Sequence, residues 1–356
     1  MNLVDLQIIS AIAATLNQAT NGKFSRMTDI ETASAEIRQL VAVANQLVDH
    51  LQQLYDYAVP LAHGNLNVDH PPKNNLLASS LKELHSRLLH LTWQTTQIAS
   101  GDYGQRVDFM GEFSEAFNSM VDILAAERRK QEQLQKEFAL AGKLQRELLP
   151  PEFDGPDITI KTVYEPFRMI SGDFFNYVID RNNRRVRGYV MDVTGHGMGT
   201  ALQTSALNIL FQEVMRRDLS CVDVLTRINA KACDYFSDDL FGAAFYFEFN
   251  LAQMTLTYAS GGINFYLTST SQTNGLVTVP GSLLGIDRCS DFNQITIPLC
   301  LGDTFYFASD GLFDLLTDSF SPFTLADFDT TVEKIREIAT DERRWDDVSA
   351  LCLKIK

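Results

Sequence analysis

Long apolar runs are missing from this sequence of 356 residues: no stretch of ~18 consecutive apolar residues offers a membrane-spanning helix. Cysteine is scarce. Cys221, Cys233, Cys289, Cys300 and Cys352 are odd in number and contain no Cys-x-x-Cys pair, which argues against a disulfide framework or structural zinc site and predicts reduced thiols. Basic residues are in deficit, 30 Lys and Arg against 45 Asp and Glu, for a net charge of −15. That balance argues against a nucleic-acid partner and against docking on an anionic membrane leaflet. The opening segment, Met1 to Leu16, carries Asp5 and no basic start, so it is not read as a signal peptide and a cytoplasmic location is expected. What the chain does have is core-forming material, with 45% apolar and 21% charged residues. Its length predicts two or three domains at ~150 residues each.

The texture changes near Pro150-Pro151. Before it, Gln, Ala, Leu and Asn run in long helical patterns; after it come short β-branched and aromatic runs broken by Gly, Asn and Asp. The partition expected is a helical signalling region over 1–126, a coiled-coil linker over 127–150 and a catalytic domain over 151–356. Within the first part Ala19–Phe24, Leu61–Leu66 and Ile98–Tyr103 share one pattern, an apolar helix end, then Gly, one residue, and an apolar or aromatic residue. A second amphipathic helix is predicted after each, over Ala35–Leu54, Leu76–Trp93 and Glu112–Ala125. The third copy, Ile98-Ala99-Ser100-Gly101-Asp102 with Gly111-Glu112-Phe113 and Ala116–Met120, resembles the HAMP family; the first two are degenerate. The resemblance implies a parallel four-helix-bundle signalling module, against the plainer alternative of an ordinary helical bundle. From Phe117 to Leu148 a 3-4-3-4 spacing places Phe117, Met120, Leu124, Leu134, Phe138, Ala141 and Leu148 on one seam, interrupted by Glu127, Gln131 and Gln145. Such a seam predicts a weak two-stranded parallel coiled coil and hence a homodimer. The alternative is one amphipathic helix lying on its own domain.

The C-terminal part reads as strands over Ile158–Tyr164, Phe174–Ile179, Val186–Val193, Phe241–Phe249, Thr255–Tyr258, Gln294–Pro298, Thr304–Ala308 and Val348–Lys354, with helices over Gly199–Arg216 and Cys221–Phe236. That pattern predicts an α+β layered fold. Aspartates stand at the strand ends: Asp173 in Ser-Gly-Asp-Phe-Phe, Asp192 in Met-Asp-Val-Thr-Gly-His-Gly, Asp310 in Ala-Ser-Asp-Gly, and Asp346-Asp347 before the last strand. Each alone is as readily a turn former. Together, converging carboxylates would repel one another unless a cation neutralised them, and an all-oxygen set points to Mg²⁺ or Mn²⁺ rather than zinc.

The order of these segments, with Ala141–Pro150, Gly281–Gly285 and Leu301–Asp303, resembles the metal-dependent (PPM) phosphatases, in detail the SpoIIE/RsbU branch, from about Phe138 onward. The resemblance implies an antiparallel β-sandwich flanked by helices. It implies two Mn²⁺ or Mg²⁺ ions bridged by Asp192, with the Val193 carbonyl, Asp173, Asp310 and Asp346 as further ligands. Asp347 either ligates in place of Asp346 or supports it. Hydrolysis would be by metal-activated water attacking phosphorus, without a phosphoenzyme. The implied substrate is a phosphoserine or phosphothreonine protein, by analogy a phosphorylated STAS-type anti-sigma-factor antagonist. Arg168, five residues before Asp173, is a candidate phosphate clamp or a solvated strand-edge residue. His196 is read as shaping its turn, with an acid role as the alternative. The histidine that many relatives carry in the turn after Tyr258 is replaced here by Ser260-Gly261-Gly262. Two rival readings are a catalytically dead phosphoprotein-binding scaffold, opposed by the acidic residue at every ligand position, and a signalling nucleotide cyclase. The cyclase reading lacks a Glu-Phe pair after Ser171-Gly172-Asp173 and leaves Asp310 and Asp346 without a task.

Overall fold

Residues 3–28, 34–195, 197–236, 240–318 and 325–356 are described by the structure, a computed structural model. The chain divides into two units, residues 1–131 and 132–356, with the division inside helix α4.

The first unit is helical: α1 (Leu3–Thr20), α2 (Ala35–Ala62), α3 (Ser79–Ala99, entered by a 3-10 turn at Leu76–Ala78) and the first part of α4 (Glu112–Glu147). Gly22, Gly64 and Gly101 stop the first three helices at φ of 75°, 79° and 101°, backbone that glycine takes without steric cost. From α2 to α3 and from α3 to α4, extended connectors then run to the next helix. Ile8 and Ile12 of α1 pack on Ile37, Val41 and Ala44 of α2, and Ile98 of α3 packs with Val107 of the last connector on Phe117 and Val121 of α4. The i, i+3/i+4 spacing of these residues gives each helix its one apolar stripe. No helix among the described residues is long and apolar enough to cross a membrane.

The second unit is a sandwich of two antiparallel sheets. One runs β1 (Phe153–Asp154), β2 (Ile158–Glu165), β11 (Val348–Ile355), β10 (Thr304–Ala308), β7 (Phe265–Ser269), β8 (Asn274–Thr278). The other runs β3 (Asp173–Asp180), β4 (Arg185–Val193), β5 (Gly242–Asn250), β6 (Thr255–Gly261), β9 (Gln294–Pro298). The two-residue period of a strand decides what faces what. Phe245, Phe247 and Phe249 of β5 point between the sheets and meet Phe305 and Phe307 of β10; the Phe247 and Phe307 rings stack at 4.6 Å. The alternate residues Ala244 and Tyr246 face outward, under α5 (Met198–Met215) and α6 (Cys221–Tyr235). Likewise Tyr306 and Ala308 face α7 (Asp310–Asp318) and α8 (Phe328–Ala339). The layers are helix, sheet, sheet, helix, an α+β arrangement as the pattern predicts and a helix-flanked sandwich as the resemblance implies.

Sequence reading passed over α7, α8, β1, β7 and β8. Helix α7 is short, and β8 is half exposed with no alternation of apolar and polar residues, so both carried a weak signal. For α8 a signal existed: Asp327 caps the Thr330 N–H, and Phe328, Val332, Ile335 and Ala339 form a buried stripe.

Candidate metal centre

Asp173 opens β3 and Asp192 is the penultimate residue of β4, and the strand register sets them directly opposite each other. From the other sheet, Asp310 follows β10 and Asp346 and Asp347 precede β11, whose neighbouring ends meet at the Ala308–Ala350 pair. One end of the sandwich therefore collects five aspartates, delivered by the ends of four buried strands.

Asp173 is 2% exposed, and its Oδ2 has no hydrogen-bond partner. Burial, then the Asp192 and Asp347 carboxylates, push its pKa well above the ordinary range; the nearby Ser309 and Ser349 hydroxyls offset this only in part. Burial also raises Asp192, with Asp310, Asp346 and Asp347 adding to the effect. Asp310 and Asp346 are open to solvent on one side, yet partial desolvation raises both; Asp310 is raised further by Asp346 and Asp314. Like charges in a partly dry place favour the protonated form, and so does the lack of a hydrogen bond to Oδ2. A hard divalent cation would resolve both problems, so the donor set fits Mg²⁺ or Mn²⁺. The set is not a closed cage: among the described residues, no three His, Cys, Asp or Glu side chains already converge on one point. Residues that would hold an ion are Asp173, Asp192, Asp310 and Asp346, with the Val193 carbonyl beside them.

Asp347 has another task. Its Oδ1 accepts the Phe167 N–H and its Oδ2 the Gly172 N–H, both at 2.7 Å, so both oxygens hold the loop that leads into Asp173. Its own N–H donates to Asp346 Oδ1 at 2.8 Å, orienting that carboxylate. Gly172 lets the loop close on β4: a Cβ there would lie 2.6 Å from the Val193 carbonyl oxygen. The Val193 N–H donates to the Gly172 carbonyl at 3.2 Å, and the Thr204 hydroxyl of α5 donates to the same oxygen at 3.1 Å.

Two contributors escaped sequence reading. Thr204 looked like an ordinary helical residue. Gln145, taken as a polar interruption of the coiled-coil seam, is 4% exposed and clamps Ser171: its amide NH₂ donates to the Ser171 carbonyl at 2.8 Å, and its carbonyl accepts the Ser171 N–H at 3.1 Å. For Gln145 the seam assignment is therefore corrected. Its amide is occupied inside its own chain, where a buried backbone pair needed partners. Arg168 is exposed and lines, with Gln135, Phe138, Met169, Ile170 and Gly197, a groove of about 500 Å³. His196 lies outside the described residues.

Residues 182–356 match the family model for stage II sporulation protein E (SpoIIE). Over 223 residues the chain is 25% identical to the phosphoserine phosphatase RsbU of Bacillus subtilis (strain 168), covering 61% of this chain and 65% of that protein. Over 132 residues it is 29% identical to the phosphoserine phosphatase RsbP of the same organism, covering 36% and 32%. The chain thus spans just under two thirds of RsbU and about a third of RsbP. In fold it is similar to the SiaA-PP2C domain of Pseudomonas aeruginosa, with a TM-score of 0.51 at 17% identity, covering 64% of this chain and 99% of that one. The matched stretch contains Asp192, Asp310, Asp346 and Asp347, and Asp173 is brought to them by strand pairing. The C-terminal part of the chain belongs to the SpoIIE family of metal-dependent (PPM) phosphatase domains.

Proposed function

We propose that this chain is a protein phosphatase that removes phosphate from phosphoserine or phosphothreonine, using two Mn²⁺ or Mg²⁺ ions at Asp173, Asp192, Val193, Asp310 and Asp346. The observation that carries this reading is the facing Asp173–Asp192 pair with its unpartnered buried oxygen, flanked by the aspartates of the second sheet. When bound, the ions supply a nucleophilic water and offset charge on the transferring phosphoryl group. The chain's own residues set the geometry. Asp347, Gln145 and Thr204 fix the loop before Asp173, and Asp192 is the carboxylate that would serve both ions. Arg168, on the groove it shares with Gly197, would hold a phosphate oxygen in this reading.

The substrate we propose is a phosphorylated STAS-type anti-sigma-factor antagonist in a cytoplasmic partner-switching pathway, on the analogy of the phosphoserine phosphatases RsbU and RsbP. Residues 1–126 are the HAMP-like signalling region in this reading, 127–150 the linker and 151–356 the phosphatase. A parallel homodimer is the proposed assembly. Exposed Leu40, Val43, Leu47 and Leu84 in the first unit, and exposed Leu134 and Leu148 further on, support it, because a lone chain leaves them in water. The test is phosphate release by the full chain from a phosphoserine STAS protein, with Mn²⁺ and after exhaustive EDTA treatment. Turnover that survives chelation overturns the metal assignment; a loaded enzyme inert towards phosphoserine proteins overturns the activity.

A further inference from the structure

The three connectors of the helical unit are held in two different ways. In the first, the Asn45 amide grips the backbone of Met27 from both sides: Met27 N–H to Asn45 Oδ1 at 2.9 Å and Asn45 Nδ2 to Met27 O at 3.0 Å. In the third, Asn118 does the same for Val107, at 2.9 and 2.7 Å. An amide carries no charge at any ordinary pH. The middle connector, between α2 and α3, is held at its far end by the Asn75 amide, which donates to the His50 carbonyl at 2.9 Å, and at its start by imidazole: His85 Nε2 lies 2.8 Å from the Leu66 carbonyl oxygen. His85 is 1% exposed, and its Nδ1 lies 2.7 Å from the hydroxyl of Tyr57, itself 3% exposed. On the other side of that hydroxyl, at 3.0 Å, is Nδ1 of His70, an exposed residue of the same connector. Five of the six histidines of the chain lie between His50 and His90.

The protonation states follow from counting hydrogens. The Leu66 carbonyl can only accept, so His85 carries its proton on Nε2 and offers a lone pair at Nδ1. The Tyr57 hydroxyl donates to that lone pair, and His70 must then present Nδ1–H to the tyrosine oxygen. Every group is satisfied and none is charged. Nε2 of His70 takes no part in these bonds, so a proton there leaves the chain of bonds intact. A second, on His85 Nδ1, does not fit. The hydroxyl would face two N–H donors with no acceptor for its own hydrogen, and two imidazolium rings would stand with centroids 5.2 Å apart, one of them buried. Other charges near the cluster are few. Lys82, one turn before His85 on α3, has its ammonium on the Pro72 carbonyl at 3.1 Å; Asp69 adjoins His70 on the connector, and Asp56 adjoins Tyr57 on α2.

We propose that Tyr57, His70 and His85 form an acid-sensitive latch that holds the α2–α3 connector and lets it go when both histidines take up protons. Imidazole is a side chain that can take up a proton under mildly acidic conditions, which an asparagine amide cannot do. The asparagine grips on Met27 and Val107 contain no such group.

Hydrogen exchange on the full chain tests this without reference to phosphatase activity. Between pH 7.5 and 5.5, after correction for intrinsic rates, amides 66–74 should lose protection on the order of tenfold. Amides 24–28 and 103–109 should be unchanged. In His70→Asn, an exposed position, the single remaining histidine has no charged neighbour of its own kind, and the pH response of 66–74 should disappear. His85→Gln, which keeps an N–H for Leu66, should show the same loss of response. The latch is overturned if the three connectors respond alike, if none responds, or if His70→Asn keeps the full response.

Discussion

Asp173 and Asp192 face each other across β3 and β4, two carboxylates brought together by strand register with no basic side chain among the described residues offsetting their charge. Like charges opposite one another weaken a sheet, so this pair is maintained against stability. Asp192→Asn should therefore move two quantities in opposite directions. Phosphatase turnover should fall by more than tenfold, a loss above ~1.4 kcal/mol. The chelator-treated protein should become more stable, by on the order of 1 kcal/mol. Kinetics with Mn²⁺ and urea unfolding in EDTA check the two halves. A variant as active as the wild type, or one less stable without metal, would show that the pair is not a ligand set.

Stability without metal should depend on pH in a stated direction. Asp173, Asp192, Asp310 and Asp346 all have folded-state pKa values raised above the unfolded value near ~4. Above that value the folded chain keeps protons that the unfolded chain has released, so the contribution of these four groups is fully present in acid and is lost as pH rises through the raised values. Surface aspartates run the other way but act lower: Asp341, paired with Arg343, is held down to about 2. Urea midpoints in EDTA between pH 5 and 8 should thus decline with pH for the wild type, and less so for Asp192→Asn. Added Mn²⁺ should stabilise most at the alkaline end, since ligands must shed protons to bind it. A flat difference between the two proteins across this range would refute the shared charge.

On the proposal that the exposed Arg168 guanidinium at the groove edge binds phosphate in the ground state, Arg168→Ala should raise KM several-fold, a change of about 1 kcal/mol, and lower kcat less. The measurement is steady-state kinetics on a phosphoprotein. Unchanged constants would return Arg168 to the role of a solvated loop residue.

How far the sequence could be read depends on the range of the interaction. The strands carrying Phe245, Phe247 and Phe249 or Phe305 and Phe307 alternate with period two, and the glycines after α1, α2 and α3 punctuate the chain, so both were legible locally. The strand-end aspartates were legible as a set because four of them stand in similar settings. What could not be read were pairings across long separations. Asp347 reaches back to Phe167 and Gly172, and its bonds distinguish it from Asp346, its neighbour in sequence. The Tyr57–His70–His85 cluster is likewise spread over two helices and a connector, with no motif to mark it. Gln145 was misassigned because a polar residue on a helical seam looks the same whether a second helix or its own domain covers it.

Gln145 gives the last expectation. On the seam reading, Gln145→Leu removes a polar interruption and strengthens a dimer. In the structure the same change deletes two buried hydrogen bonds and leaves the Ser171 N–H and carbonyl without partners. An unsatisfied buried polar group costs ~1–3 kcal/mol, so the variant should be less stable than the wild type. It should also turn over more slowly, because Ser171 lies two residues before Asp173 and its hydroxyl accepts the Asp173 N–H at 3.0 Å. Room for the clamp comes from Gly142, one turn earlier on α4: a Cβ there would lie 1.8 Å from the Met169 carbonyl oxygen. Gly142→Ala should push the helix from the loop and reproduce the kinetic defect with Gln145 intact. Gln131→Leu is the contrast, since Gln131 is exposed: it should leave the stability of the second unit and kcat unchanged, and any effect should appear in dimer affinity alone. Urea unfolding, sedimentation and kcat on the three full-length variants separate the cases. If Gln145→Leu matches Gln131→Leu in stability and turnover, the clamp on Ser171 plays no part in holding Asp173.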